Sequence, residues 1–202
     1  AEQLARLGYS VHGIDLSPEM VARAQARQCA LPGEMARRLE FSTGDIATAR
    51  VGRVFDAVIS LFHVFSYQTS NAALQSAFQT AASHLMPGGL LCFDYWYGPA
   101  VLAQGPDVRV RRMEDERCLV RRIAEPEMRP AANVVRVNFS IDVQSKVDNS
   151  QRSFSESHDM RYLFIPEIES LAGDAFKVRE HSAWMGQHLP GTGDWAAVCV
   201  ME

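Results

Sequence analysis

Four short apolar runs, SVHGID (10–15), LEFS (39–42), VFDAVISLF (54–62) and LLCFDYW (90–96), alternate with segments of helical periodicity. This alternation constrains the fold more than any other feature of the chain. Short apolar runs bounded by turns read as strands covered on both faces. Between them, Met20, Val21, Ala24 and Ala26 mark a helix from Pro18 to Cys29, and Leu74, Phe78, Ala81, Ala82 and Leu85 mark another over 71–85. LPGE and Val51-Gly52 supply turns, and Asn71 is expected to cap the second helix. Strand–helix–strand repetition of this kind predicts a parallel sheet with right-handed crossovers.

The stretch IDLSPEM raises a chemical question, because an acid ends a strand that should be buried. Ser17 is a suitable N-cap and Pro18 at the first helical position gives up no hydrogen bond. The helix therefore begins just past Asp15 and leaves its carboxylate at the mouth of a strand-to-helix crevice. Such crevices bind ligands in open α/β sheets, and an acid there can chelate a ribose diol. The alternative is a turn aspartate that helps to cap the helix.

Beyond Gly98 the pattern changes. VRVRRM, CLVRRIAE, NVVRVNFSIDV and FSESHDMRYLF alternate apolar and polar residues, which predicts an antiparallel meander of about four strands over 98–163. A short helix from Pro166 to Ala172 follows. FKVREHSAWM and DWAAVCVME then end the chain as two strands, read as a hairpin on the sheet edge. Gly191-Thr192-Gly193 is a turn in that hairpin and no phosphate loop, since no apolar strand leads into it.

Composition narrows the class. A chain of 202 residues with 47% hydrophobic and 22% charged residues is an ordinary globular domain, and a formal net charge of −4 gives no basic footprint for nucleic acid. Cys29, Cys92, Cys118 and Cys199 form no CxxC pair, so reduced thiols in a cytoplasmic protein are expected. No apolar run approaches the roughly 18 residues of a membrane span, and no signal peptide is evident. AEQLARLG reads as the end of an amphipathic helix closing on Gly8, so residues of a longer protein are expected upstream of Ala1.

Taken together, GYSVHGIDLSPEM, FSTGDI, FDAVISLF and HLMPGGLLCFDYW resemble strands two to five of class I S-adenosylmethionine (SAM)-dependent methyltransferases. The most specific is Leu85-Met86-Pro87-Gly88-Gly89, similar to the family's L-x-P-G-G turn before strand five. Within the family, the insertion and the aromatic strand end resemble sugar N,N-dimethyltransferases and, more distantly, glycine N-methyltransferase-like enzymes. The resemblance implies a Rossmann-like α/β core (1–97 and 164–202) with a mostly parallel sheet and an antiparallel C-terminal hairpin strand. It also implies that the 98–163 insertion after strand five is a substrate lid. The family's glycine-rich loop after strand one is absent from this sequence and is expected before Ala1.

The resemblance implies SAM as cofactor, with Asp15 on the ribose hydroxyls, Leu16 and Met20 on the adenine, and Asp45 accepting from the adenine amino group. Ile46 would add an amide and an apolar face, and Leu61 and Phe62 would lie beneath the sulfonium. Asp45 after Gly44 also reads as a turn residue. Methyl transfer is an in-line substitution dominated by positioning, so the proton acceptor and the aromatic walls carry the chemistry. His63, Tyr67 and His158 are the catalytic candidates, and Tyr95, Trp96 and Tyr97 are the substrate-binding ones, aromatic faces favouring a cationic centre. Alternatives stay open: Tyr95 and Trp96 filling a seam, His158 facing solvent. His12, His84, His181 and His188 lack metal-ligand spacing, and no metal is expected. Among Arg109, Arg111, Arg112, Arg121 and Arg122, one or two could hold an anionic group such as a nucleotide diphosphate.

The expected partner is a small-molecule acceptor bearing an amine or hydroxyl, such as a sugar, without nucleic acid or membrane; a homodimer is compatible. Two other readings share the Asp15 signal. One is an NAD-dependent oxidoreductase, against which stand the PGG turn and the closing hairpin. The other is a SAM-binding module without catalysis.

Overall fold

The computed structural model describes residues 1–202. A short helix, α1 (Glu2–Arg6), leads into β1 (Val11–Asp15), α2 (Pro18–Cys29), the single turn α3 (Gly33–Ala36) and β2 (Leu39–Thr43). β1 and β2 pair in parallel, with Val11 opposite Leu39 and Asp15 opposite Thr43, as a two-stranded sheet. Ser17 caps α2 as expected, its Oγ accepting from the Met20 amide at 3.3 Å.

β3 (Phe55–Ser60), α4 (Asn71–Ser83) and β4 (Leu85–Tyr97) form a second strand–helix–strand unit, again parallel. β3 stops at Ser60, two residues before the expected end, because Phe62 and His63 turn into the left-handed region (φ 66° and 64°). The α4 cap is Ser70, which accepts from the Ala73 amide at 3.1 Å; Asn71 instead accepts from Arg161 at 2.6 Å. The Pro87-Gly88-Gly89 turn lies within β4 and shifts its register against β3. Gly89 is required there, since a Cβ would stand 2.9 Å from the Met86 carbonyl oxygen and 3.1 Å from that of Asp56.

After β4 come the seven-residue helix α5 (Gly98–Gln104), shorter than composition alone resolves, and four antiparallel strands. These are β5 (Arg109–Glu114), β6 (Cys118–Arg129), β7 (Val134–Ser145) and β8 (Gln151–Leu163). α6 (Ile165–Ala172), β9 (Val178–Ala183) and β10 (Ala196–Met201) complete the chain. β10 lies antiparallel to both β4 and β9, which leaves β9 at the edge. The inserted strands do not stand apart: the end of β8 pairs with the end of β4, Trp96 opposite Tyr162 and Tyr97 opposite Leu163. One eight-stranded sheet results, in the order β5-β6-β7-β8-β4-β10-β9 with β3 also on β4.

The main core follows from strand alternation. Leu91, Phe93 and Tyr95 of β4 and Ala197, Cys199 and Met201 of β10 share one face, which α4 (Leu74, Ala77, Phe78, Ala81) and α6 (Ile168, Ala172) cover. A second small cluster, Val101, Val135 and Tyr162, joins α5 to the inserted strands. The opposite face of β4 carries Asp94 and Trp96, and this is where the site lies. No helix is long and apolar enough to cross a membrane.

Candidate active site

At the carboxyl ends of β1 and β2, two acids stand side by side. Asp15 Oδ1 accepts from the Ser17 amide at 2.9 Å, and Asp45 Oδ1 accepts from the Ala47 amide at 2.8 Å. The Gly44 amide, next to Asp45, donates to the Asp15 carbonyl at 3.0 Å, which ties the two turns together. Both carboxylates are exposed and each spends one oxygen on its turn, so the turn and ligand readings are compatible. Leu16 (70% exposed) and Met20 (49%) offer uncovered apolar surface beside Asp15. Ile46, in the turn after Asp45, is partly buried and its side chain packs against the main core.

The turn after β3 is held to β4 by two bonds. The His63 amide donates to Asp94 Oδ1 at 2.9 Å, and the Trp96 amide donates to Ser66 Oγ at 3.1 Å. Two consecutive left-handed residues, Phe62 and His63, cost about 1–2 kcal/mol each, and these bonds hold them there. The His63 ring meets Trp96 edge to face at 6.2 Å. Its Nδ1 is buried 2.8 Å from Asp94 Oδ2, close but not aligned as a hydrogen bond. Asp94 is fully buried.

A cavity of about 280 Å³ opens between this turn and the inserted strands. Phe62, His63, Tyr67, Trp96 and Trp195 line it together with Phe139 and His158 of the inserted strands. Tyr67 Oη lies 3.2 Å from His158 Nδ1, and the His158 ring also meets Phe139 edge to face at 5.4 Å. Burial, and secondarily the Glu156 carboxylate, push the Tyr67 phenol above its ordinary range, so it keeps its proton at neutral pH. Trp195 stands edge to face on Trp96 at 5.5 Å. The rim carries Arg109, Arg111 and Arg122, and the Arg122 guanidinium lies 5.1 Å over the Phe139 ring. Arg121, by contrast, is paired with Asp142 at 2.6 Å on the outer surface.

The structure thus brings His63, Tyr67, His158, Phe62 and Trp96 together. It does not bring Tyr95 and Tyr97 with them. Both face away from Trp96, as alternate residues of a strand must. Tyr95 is fully buried in the main core, its hydroxyl 3.2 Å from His181 Nδ1, and Tyr97 packs against the same core. Leu61 is partly exposed and does not line the cavity. Phe139, Trp195 and Asp94 are not among the candidates the sequence offers, and of these Asp94 is the one that carries a signal there. Its signal was present: an acid in the middle of LLCFDYW, where a carboxyl group must find partners or not be buried.

The acceptors at the ends of β1 and β2 fit the adenosine half of SAM. Two exposed carboxylates suit a ribose diol and an exocyclic amine, and the bare faces of Leu16 and Met20 suit a purine. The cavity beyond Phe62 is separate from these acids and suits an acceptor.

Residues 1–89 match the methyltransferase domain family. Over 161 residues the chain is 32% identical to dTDP-3-amino-3,4,6-trideoxy-alpha-D-glucopyranose N,N-dimethyltransferase of Streptomyces venezuelae, covering 78% of this chain. The chain spans 62% of that relative's length. The fold is similar to the CcbJ methyltransferase from Streptomyces caelestis (TM-score 0.78, 20% identity, covering 100% of this chain and 77% of that one). It is also similar to the sugar N-methyltransferase KedS8 from Streptoalloteichus sp ATCC 53650 (TM-score 0.73, 24% identity, 94% and 70% covered).

Proposed function

We propose that this chain, a member of the class I SAM-dependent methyltransferases close to the sugar N-methyltransferases, methylates the amino group of a nucleotide-activated amino sugar. One observation carries the reading. The lining of the cavity combines an imidazole and two indoles, His63, Trp96 and Trp195, with three arginines of β5 and β6, Arg109, Arg111 and Arg122. An amino group set against His63 and the indoles and a diphosphate held by the arginines match that lining, and the Streptomyces venezuelae relative is named for a dTDP-amino sugar of this kind.

Bound SAM supplies an electrophilic methyl group on a positively charged sulfur. Asp15 and Asp45 would hold its adenosine, with Leu16 and Met20 against the purine and Phe62 on the side facing the cavity. The chain's own work is positioning. Trp96 and Trp195 exclude water and place electron-rich faces near a centre that becomes cationic when an amine is alkylated. Tyr67 keeps its proton and so acts as a hydrogen-bond donor or rotor stop, not as a base. His63 Nδ1 is buried against Asp94, which leaves Nε2 as the nitrogen that can accept the proton lost from the amine. The insertion acts as the acceptor-binding wall, with His158 orienting Tyr67.

The NAD-dependent oxidoreductase reading is not favoured, given the methyltransferase match over residues 1–89. Incubation with SAM and a panel of dTDP-amino sugars, followed by mass spectrometry, tests the proposal. Gain of one or two methyl groups on amino sugars alone supports it. Methylation of the hydroxy analogues instead would overturn the amine assignment, and retention of SAM without transfer to any acceptor would favour a binding module.

A further inference from the structure

We infer that Asp94 is a positioning residue for catalysis, holding the His63 imidazole in the tautomer that presents a free Nε2 to the cavity. The inference rests on the reading of His63 as the proton acceptor and extends it to a residue that touches neither acceptor nor cofactor.

Three observations converge on Asp94. It is fully buried near the carboxyl end of β4, between Phe93 and Tyr95, where a carboxyl group without partners is strongly unfavourable. Its two oxygens both turn to one residue: Oδ1 accepts the His63 amide at 2.9 Å and Oδ2 stands 2.8 Å from His63 Nδ1. No arginine, lysine or other side chain is bonded to it, so nothing else in the fold accounts for an acid at this position. The backbone of His63 meanwhile adopts φ 64°, a conformation that costs energy for a histidine and brings its ring against the acid.

The chemistry follows from the inventory of an imidazole. In the neutral ring one nitrogen carries hydrogen and the other carries a lone pair, and the partner of one decides the state of the other. A carboxylate oxygen beside Nδ1 favours hydrogen there, which leaves the lone pair on Nε2. Transfer of a proton from an amine to Nε2 then creates an imidazolium whose Nδ1–H already faces an acid. The 2.8 Å approach is misaligned in the free protein, and catalytic hydrogen bonds of this sort commonly align only when the acceptor is bound.

The test combines spectroscopy with kinetics. In wild type, nitrogen-15 NMR of the His63 ring should show hydrogen on Nδ1. Asp94→Asn keeps an oxygen for the His63 amide but can donate to Nδ1, so the ring should move to the Nε2–H tautomer. With SAM saturating, kcat of Asp94→Asn should fall about 10- to 100-fold, as for His63→Ala, the range expected when an amine loses its proton acceptor. KM for the acceptor should stay nearly unchanged. The double variant should be no slower than His63→Ala alone, whereas a merely structural role would make the losses multiply. Wild-type rates and tautomer in Asp94→Asn, or multiplying losses, would overturn the inference while leaving His63 as base. A wild-type rate in His63→Ala would overturn that reading and this one together. Should Asp94→Asn fail to fold, the wild-type tautomer decides: hydrogen on Nε2 rules the inference out.

Discussion

Tyr67 Oη and His158 Nδ1 lie 3.2 Å apart, joining the turn after β3 to the last inserted strand in the lining of the cavity. Because the phenol keeps its proton, the contact orients groups and does not abstract protons. Tyr67→Phe should therefore lower kcat/KM by about 3- to 10-fold, the worth of one neutral hydrogen bond, mostly through KM. Steady-state kinetics at varied acceptor concentration checks this; a loss confined to kcat would give Tyr67 a part in the chemical step.

Arg122 is braced over the Phe139 ring at the cavity rim. A guanidinium so held suits a diphosphate, and Arg122→Ala should raise acceptor KM by about 10- to 100-fold, as expected for a charge-assisted hydrogen bond. The effect should shrink for the same amino sugar lacking its nucleotide. Equal losses on both acceptors would place the anion elsewhere.

Asp15 has committed one oxygen to the Ser17 amide. The other is available to a ribose. Asp15→Asn retains the turn bond but loses the charge, and SAM affinity measured by calorimetry should weaken about 10-fold, against about 10- to 100-fold for Asp15→Ala. Unchanged affinity in both variants would leave Asp15 as a turn residue only.

His181 is buried beside the Tyr95 hydroxyl, and burial pushes its ring below the ordinary histidine value, opposed in part by Glu169. Here the unfolded chain binds the proton more readily than the folded one. Stability is therefore complete above about pH 6.5, the unfolded value, and falls as pH drops towards the folded value. Urea midpoints should decline between pH 8 and pH 5.5, and His181→Gln should flatten that slope. A slope unchanged by the substitution would assign it to other groups.

The architecture was legible where local chemistry and hydrophobic period agreed. Ser17-Pro18 marked the start of α2, and the periodicity of 71–85 marked α4. The departures in β4 share one cause. In LLCFDYW apolar residues occupy both faces, so period-two alternation carries no label saying which face meets a helix and which a cavity. Trp96, Tyr95 and Tyr97 were consequently grouped, though only Trp96 reaches the cavity. The same ambiguity hid Asp94, whose role depends on a turn that returns from another strand. Ser70 displaced Asn71 as cap because Arg161, 90 residues away, claims the Asn71 side chain.

The pairing of Trp96 with Tyr162 and Tyr97 with Leu163 makes the acceptor wall a continuation of the central strand. Exchange of acceptor preference between relatives by grafting therefore has a register condition. A donor segment must leave β4 after its final core residue and return along β8 so that the same two pairs form. It must also restore the buried Arg161, which grips Asn71 and Glu167. A graft cut one residue off would exchange the faces of every side chain in β8, turning His158 away from Tyr67. Chimeras joined at these pairs should be interchangeable parts; chimeras joined at the loop ends should not.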